Sequence, residues 1–396
     1  MRKRRWIVVP LALLLGVVLA APSSPSAAGP GDQLTPVLAS VVVAPIPVPQ
    51  SDGQWKLVYE LEVANATDQP MTIESLEVRE PEPHEATVKT LSTKEIENNL
   101  VVPGNVKSPT LGPGQAGILF VNLSFARREQ VPARLVHRIT ATTDQARGSL
   151  PAKSVENAVA RLQVDPAVPI SIGPPLRGDR WVAVASCCDS YHRRAALPVN
   201  GRRTLAQRFA IDWIQLDAQN RMASGDPSRN ESFPQFGADA IAVADATVVH
   251  VTDGLPNHTP GALPGDTTLA NADGNSVVLD LGGSRFALYA HLQPASIQVH
   301  EGERVRRGQL LGRVGNSGNT DAPHLHFHVM DGPSPLASNG LPYVIDGFEL
   351  IGRAVSSDDL EAAFKAPDKP VDVSMQAPSR HTKELPADLA MVRFPG

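Results

Sequence analysis

Pro323-His324-Leu325-His326-Phe327-His328-Val329 is the stretch on which the reading of this chain turns. Histidine alternates with Leu325, Phe327 and Val329. Successive side chains of a strand point to opposite faces, so His324, His326 and His328 share one face and the apolar residues share the other. A strand with an apolar back and a row of imidazoles in front is suited to holding a metal. Imidazole is a common zinc ligand, and its neutral form is an acid or base near neutral pH. The plain alternative is a solvated strand edge that carries histidine. With eleven histidines in 396 residues, a triple at strand period argues against that alternative.

Outward from this strand, the N-terminus speaks to compartment. Arg2-Lys3-Arg4-Arg5 precedes a mostly apolar run from Trp6 to Ala20, and small residues and prolines follow. This is the build of a secretory signal peptide over residues 1–28, with no cysteine near the cleavage region to accept lipid. The run is short for a spanning helix, which needs about 20 apolar residues. A retained N-terminal anchor is the alternative, and no later segment is long and apolar enough to span. The expected location is secreted or in the cell envelope. The length remaining suggests two domains, because single cores rarely grow beyond roughly 250–300 residues. A formal net charge of −5 gives no sign of a nucleic-acid partner. The only two cysteines are adjacent, Cys187-Cys188. A trans peptide holds neighbouring Cα atoms about 3.8 Å apart, closer than a relaxed disulfide prefers. Two buried thiols are therefore expected, with a zinc thiolate or a strained bridge as lesser options.

The segment 35–165 contains short Val-, Ile- and Leu-rich runs, including Trp55–Val63, Met71–Val78, Ala116–Phe125 and Ala133–Thr143. Turn signals such as Pro113-Gly114 separate them, and the pattern suggests an immunoglobulin-like β-sandwich. A Pro-rich stretch from Val164 to Pro175 marks the boundary. Residues 176–352 are again mostly β, with hairpin-grade pairs at Asn200-Gly201, Asp253-Gly254 and Gly282-Gly283. A helix is expected at Ser357–Phe364, and residues 353–396 read as a C-terminal extension. The fold class is mainly β: a sandwich followed by an antiparallel β domain.

Four segments carry chemistry: the histidine strand, Leu288-Tyr289-Ala290-His291-Leu292, Arg208-Phe209-Ala210-Ile211-Asp212, and the glycine loop Gly315-Asn316-Ser317-Gly318-Asn319-Thr320. With Val305-Arg306-Arg307-Gly308-Gln309-Leu310-Leu311-Gly312, this ordered set resembles the M23 (LytM/lysostaphin-type) zinc metallopeptidase domain over residues 183–331. The resemblance implies a small antiparallel β fold, a Zn2+ cofactor and the peptide part of peptidoglycan as substrate. Carried over by position, Asp212 and His326 match zinc ligands. His324 matches the catalytic histidine that assists the attacking water, and His291 a second catalytic histidine that helps stabilise the oxyanion.

One position departs from the pattern. Four residues before Asp212, where the family has its first zinc histidine, stands Arg208, and a guanidinium cannot ligate zinc. A catalytic zinc usually has three protein ligands. In one account another group supplies the third: His192, Cys187, Cys188 or His328. His328 lies about 7 Å along the strand from His326, far for a shared ion. In the other account there is no zinc, Arg208 pairs with Asp212, and the groove binds peptide without cutting it. The function expected is a zinc endopeptidase of peptidoglycan, the alternative a degenerate module that binds cell wall or regulates another hydrolase. Asp189 is a candidate to orient His192, and Asn319 to line the groove. His250, His258 and His300 read as solvated.

Overall fold

A computed structural model describes residues 35–147 and 151–395, and the expected signal peptide lies outside the described residues. The chain is mainly β. Its α-helices among the described residues are short: Thr93–Asn99, Tyr191–Arg194 and Ser357–Lys365. None is long and apolar enough to cross a membrane.

Two sheets form the N-terminal sandwich. In the strand Trp55–Asn65, Leu57, Tyr59, Leu61 and Val63 are buried in one core with Leu119, Val121 and Leu123 of the antiparallel strand Ala116–Phe125. Ile73, Leu76 and Val78 of Met71–Arg79 and Ile139 of Arg134–Thr143 close that core from the second sheet. The alternate residues of the first sheet are also buried, and this positions the site. Val58 joins the core of the second half of the chain, while Ile118 and Phe120 pack with Leu205. Glu60 lies on that same outward face and is fully buried. A sheet covered on both faces loses the solvated side that antiparallel sheets commonly keep.

The second half is built on one large sheet. Its central run is Ala246–Thr252, Asn275–Asp280, Phe286–Leu292, Leu325–Met330, Ile211–Gln215 and Gly178–Val184. Beyond Gly178–Val184 lie Ala390–Phe394, Phe348–Ala354 and Val373–His381. The segment expected as an extension thus contributes strands to the sheet, with Ala390–Phe394 inserted between Gly178–Val184 and Phe348–Ala354. The helix Ser357–Lys365 is capped by Ser356, whose hydroxyl accepts from the Asp359 N–H at 3.0 Å. It buries Leu360 and Ala363 against Ile351 and Val371.

Glu156 is buried in the sandwich, where its Oε1 accepts from the Val37 N–H at 2.6 Å and its Oε2 has no hydrogen-bond partner among the described residues. Burial pushes its carboxyl from 4.5 up to about 7. Between these values the folded chain holds more protons than the unfolded one, so this group's contribution falls as pH rises and is lost above about 7. Glu156→Gln keeps the acceptor for Val37 and removes the charge. Its melting temperature should rise by roughly 2–4 °C per kcal/mol recovered at pH 8 and stay near wild type at pH 4.5, checked by calorimetry at both pH values.

Candidate metal centre

The alternation along the histidine strand holds. Leu325, Phe327 and Val329 are buried in the main core, and the imidazoles occupy the opposite face. Antiparallel pairing sets Asp212 directly across from His326, so their side chains share a face. On the other side Ala290 is paired with His326, and alternation would send His291 away from the site. Here the ladder with Asn275–Asp280 shifts register between the Asn275/Leu292 and Val277/Tyr289 pairs, and His291 has φ of 63°. A bulge with a left-handed residue re-aims a side chain, and this one turns His291 towards His324, with ring centroids 4.7 Å apart.

Asp212 is the hub. Its Oδ1 lies 2.9 Å from His326 Nδ1 and 3.3 Å from His324 Nε2. Its Oδ2 lies 3.1 Å from His192 Nε2 and accepts from the Tyr191 hydroxyl at 2.6 Å. Backbone carbonyls set the imidazole tautomers. His192 Nδ1 faces Ala185 O at 3.2 Å, His324 Nδ1 faces Ala322 O at 2.9 Å and His291 Nδ1 faces Ser317 O at 2.8 Å. Each of these rings therefore carries its proton on Nδ1 and offers the Nε2 lone pair. His326 is reversed. Its Nδ1 lies 2.9 Å from Asp212 Oδ1 and its Nε2 3.0 Å from His328 Nδ1, and the tautomer that donates Nε2–H to His328 is the one that leaves the Nδ1 lone pair for a metal.

Two sets of donors lie within 4.8 Å of one another: His192, Asp212 and His326, and His291, His324 and His326. The first set combines nitrogen and carboxylate donors, as zinc prefers, and all of its members are buried. Donors at about 2.0–2.1 Å in a tetrahedron stand ~3.3 Å apart. The 2.9 and 3.1 Å separations around Asp212 are close to that edge. Burial works against the Asp212 anion, yet His192 and His324 together hold its carboxyl well below the usual range. Burial also depresses His291, His326 and His328, which favours neutral rings, the form that binds metal. Burial works against the charged form of His324, yet the Asp212 anion, the hydrogen bonds to Asp212 and Ala322 O and the nearby Asp321 together move it upward.

Residues 233–338 match the model of peptidase family M23. The chain carries an M23 peptidase domain. The matched span contains His291, His324 and His326 and begins after Asp212. The chain is 40% identical over 57 residues to the peptidoglycan DD-endopeptidase ShyA of Vibrio cholerae serotype O1, covering 14% of this chain and 13% of that protein. It is 25% identical over 147 residues to the cell division protein DipM of Caulobacter vibrioides, covering 35% of this chain and 23% of that one. The matches thus span under a quarter of the length of these relatives. Among solved structures, the catalytic domain of the antimicrobial peptidase lysostaphin from Staphylococcus simulans aligns at 19% identity with a TM-score of 0.23, over 41% of this chain and 88% of that one.

Around the M23 domain the geometry corrects several expectations. Arg208 does not pair with Asp212. It is buried against Glu60, with Nη2 3.1 Å from Oε2, and donates to Val58 O at 3.2 Å. Cys187 and Cys188 are not free thiols or ligands: the peptide between them is cis, their Cα atoms are 3.0 Å apart and their sulfurs are bonded to each other. His328 stands behind His326 rather than beside the metal donors, and it belongs to neither donor set. Asp189 pairs with Arg194 rather than orienting His192. Asn319 accepts from Thr267 Oγ1 at 3.1 Å. A neutral His291 with its proton on Nδ1 is an acceptor at Nε2, so the oxyanion-donor role requires the imidazolium. The Tyr191 hydroxyl was not anticipated, and the only local signal was its place beside His192.

Because the sulfurs are joined, thiol titration of unfolded, unreduced protein should count no free thiol, and prior reduction should release both. Metal content of the native protein should be unchanged by mild reduction. Loss of metal on reduction would return the cysteines to the ligand set.

Proposed function

We propose that this chain is an exported, zinc-dependent endopeptidase that hydrolyses peptide bonds of peptidoglycan. The observation that carries the reading is that His192 Nε2 lies 3.1 Å from Asp212 Oδ2, where it can replace the donor expected at Arg208. With Asp212 and His326 it makes a three-donor set beside His324 and His291. The M23 match and the relative named as a peptidoglycan endopeptidase support the reaction and substrate class. Arg2-Lys3-Arg4-Arg5 and the apolar run behind it support export.

His192 Nε2, an Asp212 oxygen and His326 Nδ1 would hold the zinc. When bound, it supplies Lewis acidity, polarising a carbonyl and lowering the pKa of water towards about 7. Each residue of this chain has its own task. Ala185 O holds the His192 ring with Nε2 turned inward, and His328 does the same for His326 Nδ1. His324 Nε2 lies at the mouth of the donor set, where it takes or returns a proton, and its Nδ1–H stays on Ala322 O. His291 Nε2 offers a second proton-handling position, with Ser317 O fixing its ring. The Tyr191 hydroxyl, already donating to Asp212 Oδ2, is a further donor at the site.

Purified full chain should contain stoichiometric zinc, and His192→Ala, Asp212→Ala and His326→Ala should each lose it. His324→Ala should keep zinc but cut release of peptides from peptidoglycan by about 10²–10⁴-fold. Element analysis and digestion with product analysis check these outcomes. Wild-type protein without zinc and without cleavage would contradict the endopeptidase reading and favour the alternative, a wall-binding or regulatory module, whereas a His192→Ala variant that keeps both zinc and cleavage would remove His192 from the ligand set.

A further inference from the structure

We infer that the N-terminal sandwich is a working part of the metal site: through buried Glu60 it holds Arg193, and through Arg193 it sets the position of His192. The inference rests on the zinc reading above and names positioning residues for it.

His192 sits on the helix Tyr191–Arg194, which is four residues long. A single turn gains too little from its own hydrogen bonds to persist unaided, so its placement depends on tertiary contacts. Those contacts converge on the next residue. Arg193 is 1% exposed, and each of its five N–H donors is matched. Its Nε donates to Glu60 Oε1 at 2.8 Å. One terminal nitrogen donates to Tyr59 O at 2.8 Å and Val121 O at 3.1 Å. The other donates to Cys188 O at 3.0 Å and to Asn122 Oδ1. Glu60, Tyr59, Val121 and Asn122 all belong to the two paired strands of the sandwich. The guanidinium also lies 5.3 Å from the Phe120 ring centroid. Four of the five acceptors on the arginine beside the metal donor therefore come from the other half of the chain.

The same carboxylate reaches the second ligand segment. Arg208, four residues before Asp212, pairs with Glu60 and donates to Val58 O. Glu60 thus faces two arginines, one next to His192 and one leading into the Asp212 strand. A shift of the sandwich moves His192 relative to Asp212 and His326, which are paired in the central sheet, and pulls on the segment that leads into Asp212. By contrast, the exposed Arg203–Glu62 pair at 3.0 Å also joins the two halves but touches no ligand segment.

The test uses the full chain, with Zn2+ alone in competition with a chromogenic chelator and Co2+ alone read by its visible d–d absorption. Arg193→Lys keeps the charge but loses the forked contacts, and Glu60→Gln keeps the size but loses the charge. Both should weaken Zn2+ binding by about 10–100-fold and alter the Co2+ bands, while far-UV circular dichroism stays native. Arg203→Ala should match wild type in both readouts. Folded Arg193→Lys with wild-type zinc affinity and cobalt spectrum would overturn the inference. So would failure of both Arg193→Lys and Glu60→Gln to fold while Arg203→Ala folds, since the charge cluster would then serve folding alone. If wild type binds no metal, the zinc reading fails first, and this inference falls with it.

Discussion

A carboxylate with no exposed surface, Glu60, stands between the guanidinium groups of Arg193 and Arg208, and the arrangement of the donor residues depends on it. Burial alone would push this acid towards its neutral form, but the two arginines together hold it below the ordinary range. Two cations face one anion, and the surplus charge is spread over the carbonyls of Tyr59, Val121, Cys188 and Val58 and over Asn122. Removing one partner from such a buried cluster typically costs about 3–5 kcal/mol, because the remaining charges stay buried without compensation. The cluster joins a strand of the sandwich to the two segments that lead into His192 and Asp212.

This arrangement gives Arg208 a positive role. In the sequence it reads as a lost zinc ligand. In the fold its side chain turns away from Asp212 and towards the sandwich, where Glu60 and Val58 O receive it. In the proposed site the third nitrogen comes from a different segment, the helix Tyr191–Arg194, with His192 Nε2 3.1 Å from Asp212 Oδ2 and its ring 4.9 Å from that of His326. The Arg208 side chain faces the neighbouring half, and His192, beside the other anchoring arginine, faces Asp212.

The histidine strand and its partners were legible because strand period is a strict rule. Alternation of His324, His326 and His328 with Leu325, Phe327 and Val329 specifies the polar face, and the mainly β class follows from the same pattern elsewhere. His192 could be named only as one of several candidates, because no spacing rule connects it to Asp212. Its approach depends on a turn and a four-residue helix. His328 looked like a third ligand by periodicity, but its hydrogen bond to His326 Nε2 places it behind the donor. The cysteines read as free thiols from the Cα spacing of neighbours, yet their sulfurs are bonded to each other at a still shorter Cα separation of 3.0 Å. Glu60 was illegible: its partners lie 133 and 148 residues away, and an acid on an alternating strand ordinarily faces water.

The position of the metal is the central test. Crystals of the full chain grown with zinc, measured at the zinc absorption edge, locate the ion by its anomalous scattering. The expected peak lies within about 2.1 Å of His192 Nε2, an Asp212 oxygen and His326 Nδ1. A peak among His291, His324 and His326 with His192 out of bonding reach, or no peak at all, would contradict this placement.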